Sequence, residues 1–277
     1  MEKQFKEKLP KWYKDNSQYD LILSDDLDSL ASCAVLNLTK GWDVEYFYRF
    51  DGMGKTKSAT NESVGVDIAL YKGKTIDNHV AKLHKHDYLN QESINLNCMD
   101  DISRDNYFDK YCGSTLLTLW SLFDLPIPKS DDGKMILLCV DSSYLGFYSD
   151  YTKFRQANKH YLSDVLCFDE LYELQKHHKV SDYQHIKNKY CLDSKVICDK
   201  GRLNTGIKLE EISQELGIPI ELPDGTFYKY KQFSNCKMPL DKNKRYTTKL
   251  EDIIENPFSL ALTGRDFLNY SVKIERN

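Results

Sequence analysis

DLILSDDLDSLASCAV, residues Asp20 to Val35, runs from a short apolar segment through three carboxylates, Asp25, Asp26 and Asp28, into a segment whose apolar residues have helical spacing. An apolar run of that length, ending in polar residues and followed by helical periodicity, reads as strand, loop and helix. Asp26 and Asp28 then stand just past the carboxyl end of the strand, where open α/β sheets form their ligand crevices. Two carboxylates two residues apart repel each other unless a cation lies between them, and hard oxygen donors suit Mg²⁺ or Mn²⁺. The same residues also make an ordinary helix start, because aspartate caps free N–H groups and favours the positive end of the helix dipole. Taken alone, the loop fits a cap better than a metal site.

The flanking chain changes that balance. Polar residues 1–18 carry a Trp12-Tyr13 anchor, and the first helix, Ser29 to Lys40, meets a C-cap glycine at Gly41. Further strand candidates are Asp43 to Arg49, Ser63 to Asp67, Lys74 to Asp77 and the most apolar run, Ile136 to Asp141. Four of the predicted strands thus end on or beside an aspartate: Asp26 with Asp28, Asp67, Asp77 and Asp141. Strands separated by helical segments point to a parallel sheet with helices on both faces, in which all carboxyl ends meet one crevice. Four carboxylates on one edge need compensating positive charge, and a divalent-metal cluster supplies it.

GSTLLTLWSLFDL, residues 113–125, reads as a helix stopped at Pro126, and charged helical segments follow from Tyr161 to Lys179 and from Asp182 to Tyr190. Gly201 to Gly206 reads as a linker. Beyond it come a helix, Lys208 to Leu216, and a hairpin from Phe258 to Lys273 turning at Gly264. The expected organisation is an α/β domain over residues 1–200 and a smaller C-terminal α+β domain over 207–277.

Lys and Arg number 17 against 24 Asp and Glu in residues 1–150, and 21 against 18 in residues 151–277. The acidic first half argues against a broad nucleic-acid surface there and suits a cation site. The eight cysteines contain no CxxC pair and sit largely in apolar contexts, so they read as reduced core thiols. The N-terminal residues lack an apolar signal core, and the longest apolar run, Met135 to Val140, is far too short to span a bilayer. The expectation is a cytoplasmic protein with no membrane association.

With these positions in view the chain resembles the DHH phosphoesterase superfamily, which includes RecJ-type exonucleases, short-oligonucleotide RNases and cyclic-dinucleotide phosphodiesterases. SDDLDSLAS is similar to the family's DxD motif, VGVDIA to its second motif, TIDNHV to the Asp-His-His signature at Asp77-Asn78-His79, and LLCVDSSYLGF to its fourth motif. The ordered set covers about residues 20–150. Asn78 stands where the family places its first signature histidine, and no glycine-rich GGGH-type motif is found towards the C-terminus.

The resemblance implies one or two Mn²⁺ or Mg²⁺ ions held by Asp26, Asp28, Asp67 and Asp141, with His79 contacting the scissile phosphate and Asp77 orienting its neighbours. Asn78 could offer a neutral oxygen in place of an imidazole. PFSLALTGRDFLNYSVKIE is similar to the closing strands of the accessory domain, making Arg265 and Lys273 candidate substrate contacts. The implied activity is hydrolysis of a phosphodiester or phosphomonoester of a nucleotide or short single-stranded nucleic acid. A DHH-like module that binds nucleotide, nucleic acid or a partner protein without turnover is the alternative, because of Asn78.

Overall fold

The computed structural model describes residues 1–247 and 249–274. The segment Asp20–Leu23 forms β1, buried along its whole length. Leu21 and Leu23 enter the main core while Ile22 enters a different cluster, so both faces of the strand are covered and its residues need not alternate with polar ones. β1 lies between β2 (Asp43–Arg49) and the later β4 (Ser63–Val66), parallel to both. β4 pairs in parallel with β5 (Thr75–Ile76), and β5 with β6 (Ser93–Ile94). The carboxyl ends of these strands therefore share one edge, as expected.

The helix Leu27–Lys40 follows β1, and its C-cap Gly41 takes the left-handed conformation at φ 69°. It packs through Leu27, Leu30, Ala31, Val35 and Leu36 into the main core. At the N-terminus Trp12 stacks on Trp42 and Tyr13 packs edge-on against Phe123, docking the arm by its aromatics.

Three expectations are corrected. Ile136 to Asp141 is not a strand: residues Asp131–Cys139 form a helix, capped by the Ser130 hydroxyl accepting from the Gly133 N–H. Met135 to Cys139 are all buried, so the helix has no polar face to reveal its period, and a short apolar run cannot then be told from a buried strand. Residues Gly201 to Gly206 are not a linker. They fall in a hairpin of β7 (Val196–Asp199) and β8 (Arg202–Thr205), whose turn residues Lys200 and Gly201 both have positive φ, as a two-residue hairpin turn requires.

The third correction concerns the sheet, which is mixed. β3 (Gly52–Lys55) turns back antiparallel to β2, and β9 (Tyr228–Pro239), β11 (Phe267–Lys273) and β10 (Pro257–Gly264) extend it antiparallel, giving nine strands in the order β10-β11-β9-β3-β2-β1-β4-β5-β6. Helices cover one face, whereas Ile22, Tyr46, Tyr48 and Met53 on the other pack against Phe233 and Phe258 from β9 and β10 in place of the expected second helix layer. The sheet curls until β10 bonds the segments following β4 and β5, with Leu260 N–H donating to the Ala69 carbonyl and Leu262 N–H to that of Val80. The C-terminal strands are thereby laid beside the parallel strand ends.

The helix Leu209–Leu216 adds Ile212 and Leu216 to the main core, and a smaller core joins Leu260, Leu262 and Leu268 to Val80, Leu83 and Ile102. Among the described residues no helix is long and apolar enough to cross a membrane.

Arg104 fastens the C-terminal hairpin to the rest of the chain. It is almost fully buried, and its guanidinium donates to the carbonyls of Asp241, Lys244 and Arg265 and to the Asp266 carboxylate at 2.7 Å. Arg104→Met is expected to lower the free energy of unfolding by about 3 kcal/mol, the usual effect of stranding one partner of a buried charge pair. Urea denaturation checks it, and an unchanged midpoint contradicts the role.

Candidate functional site

The loop after β1 satisfies both readings of its aspartates. Asp26 caps the helix Leu27–Lys40, accepting from the Ser29 N–H at 3.3 Å. Asp28 is buried and turned the other way. Its two oxygens accept the N–H groups of Thr115 and Leu116, each at 2.8 Å, at the start of the helix Thr115–Leu122. Free N–H groups at a helix start favour a carboxylate, so two segments far apart in sequence are joined by one charge.

Asp67 follows β4 directly in the left-handed conformation, φ 57°, and accepts the Thr115 hydroxyl at 2.9 Å. Asp77 follows β5, is buried, and accepts from the His79 N–H, the Ser93 hydroxyl and the Asn95 amide at 2.8–3.0 Å. Asn95 also donates to the His79 carbonyl, and Asn97 to those of Asn78 and Tyr111. The polar residues 94–100 are therefore the frame that holds Asn78 and His79 in place. Asn78 meets Asp141 through its amide nitrogen, at 2.6 Å, and the same nitrogen donates to the Gly113 carbonyl. Towards Asp141 it presents a donor.

His79 lines two clefts. The larger, about 510 Å³, is lined by Asn78, Asp141, Lys110, Phe154 and Thr263 among others. The smaller, about 200 Å³, includes Asp25, Asp26, Asp67, Tyr48 and Lys195. The Lys195 ammonium lies 3.1 Å from Asp25 and 3.3 Å from Asp26, and nothing in its local sequence marks it as a site residue. Lys110, on the rim of the larger cleft, was equally unmarked. Arg265 lies over the Phe108 ring and beside Asp266, and Lys273 is exposed opposite Phe233; neither lines either cleft. His84 and His86 line a separate pocket with Arg245 and Tyr246.

The carboxylates act on one another. Burial raises Asp28 well above the ordinary carboxyl range, the charges of Asp141 and Asp26 raise it further, and the Leu116 and Thr115 N–H groups only partly offset this. Asp67 is raised first by burial and then by Asp28, Asp26 and Asp141. Burial also raises Asp141, against which the charge of His79 and the Asn78 hydrogen bond work. For His79, burial disfavours the charged ring, but the nearby Asp77 carboxylate and the charge of Asp141 lift its pKa above the ordinary value. Its Nδ1 stands 3.6 Å from Asp77 and has no hydrogen-bond partner.

The donor set, carboxylate oxygens in which neighbouring charges raise Asp28 and Asp67, fits a hard divalent cation. Among the described residues, however, no three or more His, Cys, Asp or Glu side chains stand together as a ready-made metal site. Comparisons of the chain with protein-family models, with characterised proteins and with solved structures found no match.

A carboxyl whose folded pKa is raised binds its proton more tightly folded than unfolded. In cation-free buffer the stability it contributes is present at low pH and lost as pH climbs from the ordinary carboxyl range through the raised value. Asp67→Asn removes one such group and keeps a side chain that tolerates the left-handed backbone. The expected result is a smaller loss of stability between pH 5 and pH 7.5 than in the wild type, read from denaturation midpoints in EDTA. Equal losses contradict the mutual repulsion.

Proposed function

We propose that the chain is a divalent-metal-dependent phosphoesterase of the DHH type, hydrolysing a phosphodiester or phosphomonoester bond of a nucleotide or short oligonucleotide. The observation that carries this reading is the group of carboxylates around His79: Asp26 and Asp67 line one of its clefts, Asp141 lines the other, and the charges of Asp141 and Asp26 raise the pKa of buried Asp28. Those four carboxylates are the residues that would hold Mn²⁺ or Mg²⁺. When bound, the ion supplies a water of lowered pKa and offsets charge on the phosphoryl oxygens.

The chain's own residues account for the rest. His79, with its pKa lifted by Asp77, presents a ring that can carry positive charge towards a phosphate. Asp77 acts through His79 as a positioning residue, held by Ser93 and Asn95. Lys110 offers a second cation to an anionic substrate, and Phe154 and Leu262 give the same cleft apolar walls. A volume of about 510 Å³ suits a ligand of mononucleotide size.

A second reading, binding without turnover, is favoured by one specific feature. The Lys195 ammonium rests on Asp25 and Asp26, so part of the compensating charge is internal.

Hydrolysis of bis(p-nitrophenyl) phosphate separates the two. The expected result is turnover that depends on Mn²⁺ and is lost in Asp141→Asn; no metal-dependent turnover favours the binding module. In the active protein, Asp77→Asn is expected to lower kcat/KM roughly 10- to 100-fold, as loss of an orienting carboxylate does. It should also move the His79 imidazole titration, followed by NMR, to lower pH. A titration unmoved by that change contradicts the positioning role.

A further inference from the structure

On the sheet face opposite the helices, β2, β3 and β9 bring tyrosines and lysines together. Tyr46 lies level with Lys55 on β3, and Lys55 with Tyr228 on β9. Tyr230 sits where the β3–β9 register shifts, and its ring centroid is 5.9 Å from that of Tyr46. The Lys55 ammonium stands between these two rings, 5.6 Å from Tyr46 and 5.4 Å from Tyr230. Lys57 lies over Tyr228, and Lys231 over Tyr230 at 4.8 Å. Tyr228 and Tyr230 are each about half exposed (49% and 47%), far more than a tyrosine whose ring is needed by the core.

The charges are as unusual as the rings. Among the described residues none of Lys55, Lys57, Lys229 and Lys231 has a carboxylate within ion-pair distance, although the chain as a whole carries a formal charge of -4. The carboxylate of Glu45, on which the charge of Lys55 acts, is turned instead to the hydroxyls of Thr56 and Ser58. Tyr48, two residues beyond Tyr46 and so on the same face of β2, lines the smaller cleft beside Asp26 and Asp67. Tyr46 and Tyr48 are themselves buried, so Tyr228 and Tyr230 are the rings this face exposes.

We propose that this face, with Tyr228, Tyr230, Lys55, Lys57 and Lys231 as its contacts, binds single-stranded nucleic acid. The bases stack on the exposed rings and the phosphates meet the lysines. Rings with interleaved, unpaired cations are the combination that single strands require, whereas an acidic peptide would use the charges and leave the rings idle. The platform is a binding site in its own right and does not depend on the cleft hydrolysing anything.

The test is fluorescence anisotropy of the full chain with a labelled oligothymidylate of roughly a dozen nucleotides, with the matching duplex as control. The expected result is binding that weakens with salt, prefers the single strand, and falls about tenfold or more in the Tyr228→Ala/Tyr230→Ala double variant. Circular dichroism should report the same fold, and hydrolysis of the small chromogenic diester should be unchanged. The proposal is overturned if the wild type does not bind, if the duplex binds as well, or if Lys57→Ala/Lys231→Ala weakens binding while the tyrosine variant does not. Oligonucleotide binding without any hydrolysis would contradict the phosphoesterase reading and leave the platform standing.

Discussion

Buried negative charge is the constraint on which this molecule turns. Asp28 is almost without solvent, the charges of Asp141 and Asp26 make its ionisation harder, and its own charge does the same to Asp67. Burying a carboxylate is tolerated only where hydrogen bonds or opposite charge replace water. Every element near the site contributes some replacement: the start of the helix Thr115–Leu122 to Asp28, the Thr115 hydroxyl to Asp67, the Asn78 amide to Asp141, and the Lys195 ammonium to Asp25 and Asp26. Those contacts connect residues 48 to 170 positions apart, so the charges of the site also join the chain's distant segments.

The curl of the sheet follows from what must surround that edge. Five parallel strands leave their carboxyl ends open on one side, and the antiparallel addition of β9, β11 and β10 rolls the sheet until β10 reaches the backbone at Ala69 and Val80. Arg104 then fixes the far end of the roll through carbonyls of three separate residues. Loops that carry Asp67 and His79 are in this way held between a parallel sheet on one side and a hairpin on the other, which gives the clefts rigid walls without a large hydrophobic interface between separate bodies.

Much of this could be read from the residues, and the reasons are local. β1 and its helix announce themselves by an apolar run, a capping aspartate and a C-cap glycine, all of which act over a few residues. Asp67 and Asp77 were found because each closes a short β-branched run. Asp141 follows a buried helix and not a strand, and a segment buried on every side shows no period of its own. The role of Asn78 as a donor to Asp141 and the presence of Lys195 depend on contacts that only the fold creates, with no pattern in the flanking sequence. The mixed sheet was hidden similarly: β3 is the short segment Gly-Met-Gly-Lys, whose two glycines read as a turn, yet its backbone is what joins the C-terminal strands to the parallel ones.

The proposed activity depends on Asp26, Asp28, Asp67 and Asp141 holding a divalent cation. A crystal of the full chain grown at neutral pH and soaked in Mn²⁺ tests it through the anomalous scattering of the metal. The expected result is a strong peak bounded by those carboxylates, with the Lys195 ammonium displaced from Asp26. An absence of anomalous signal there, with Lys195 still bonded to Asp25 and Asp26 in the presence of saturating Mn²⁺, would contradict it.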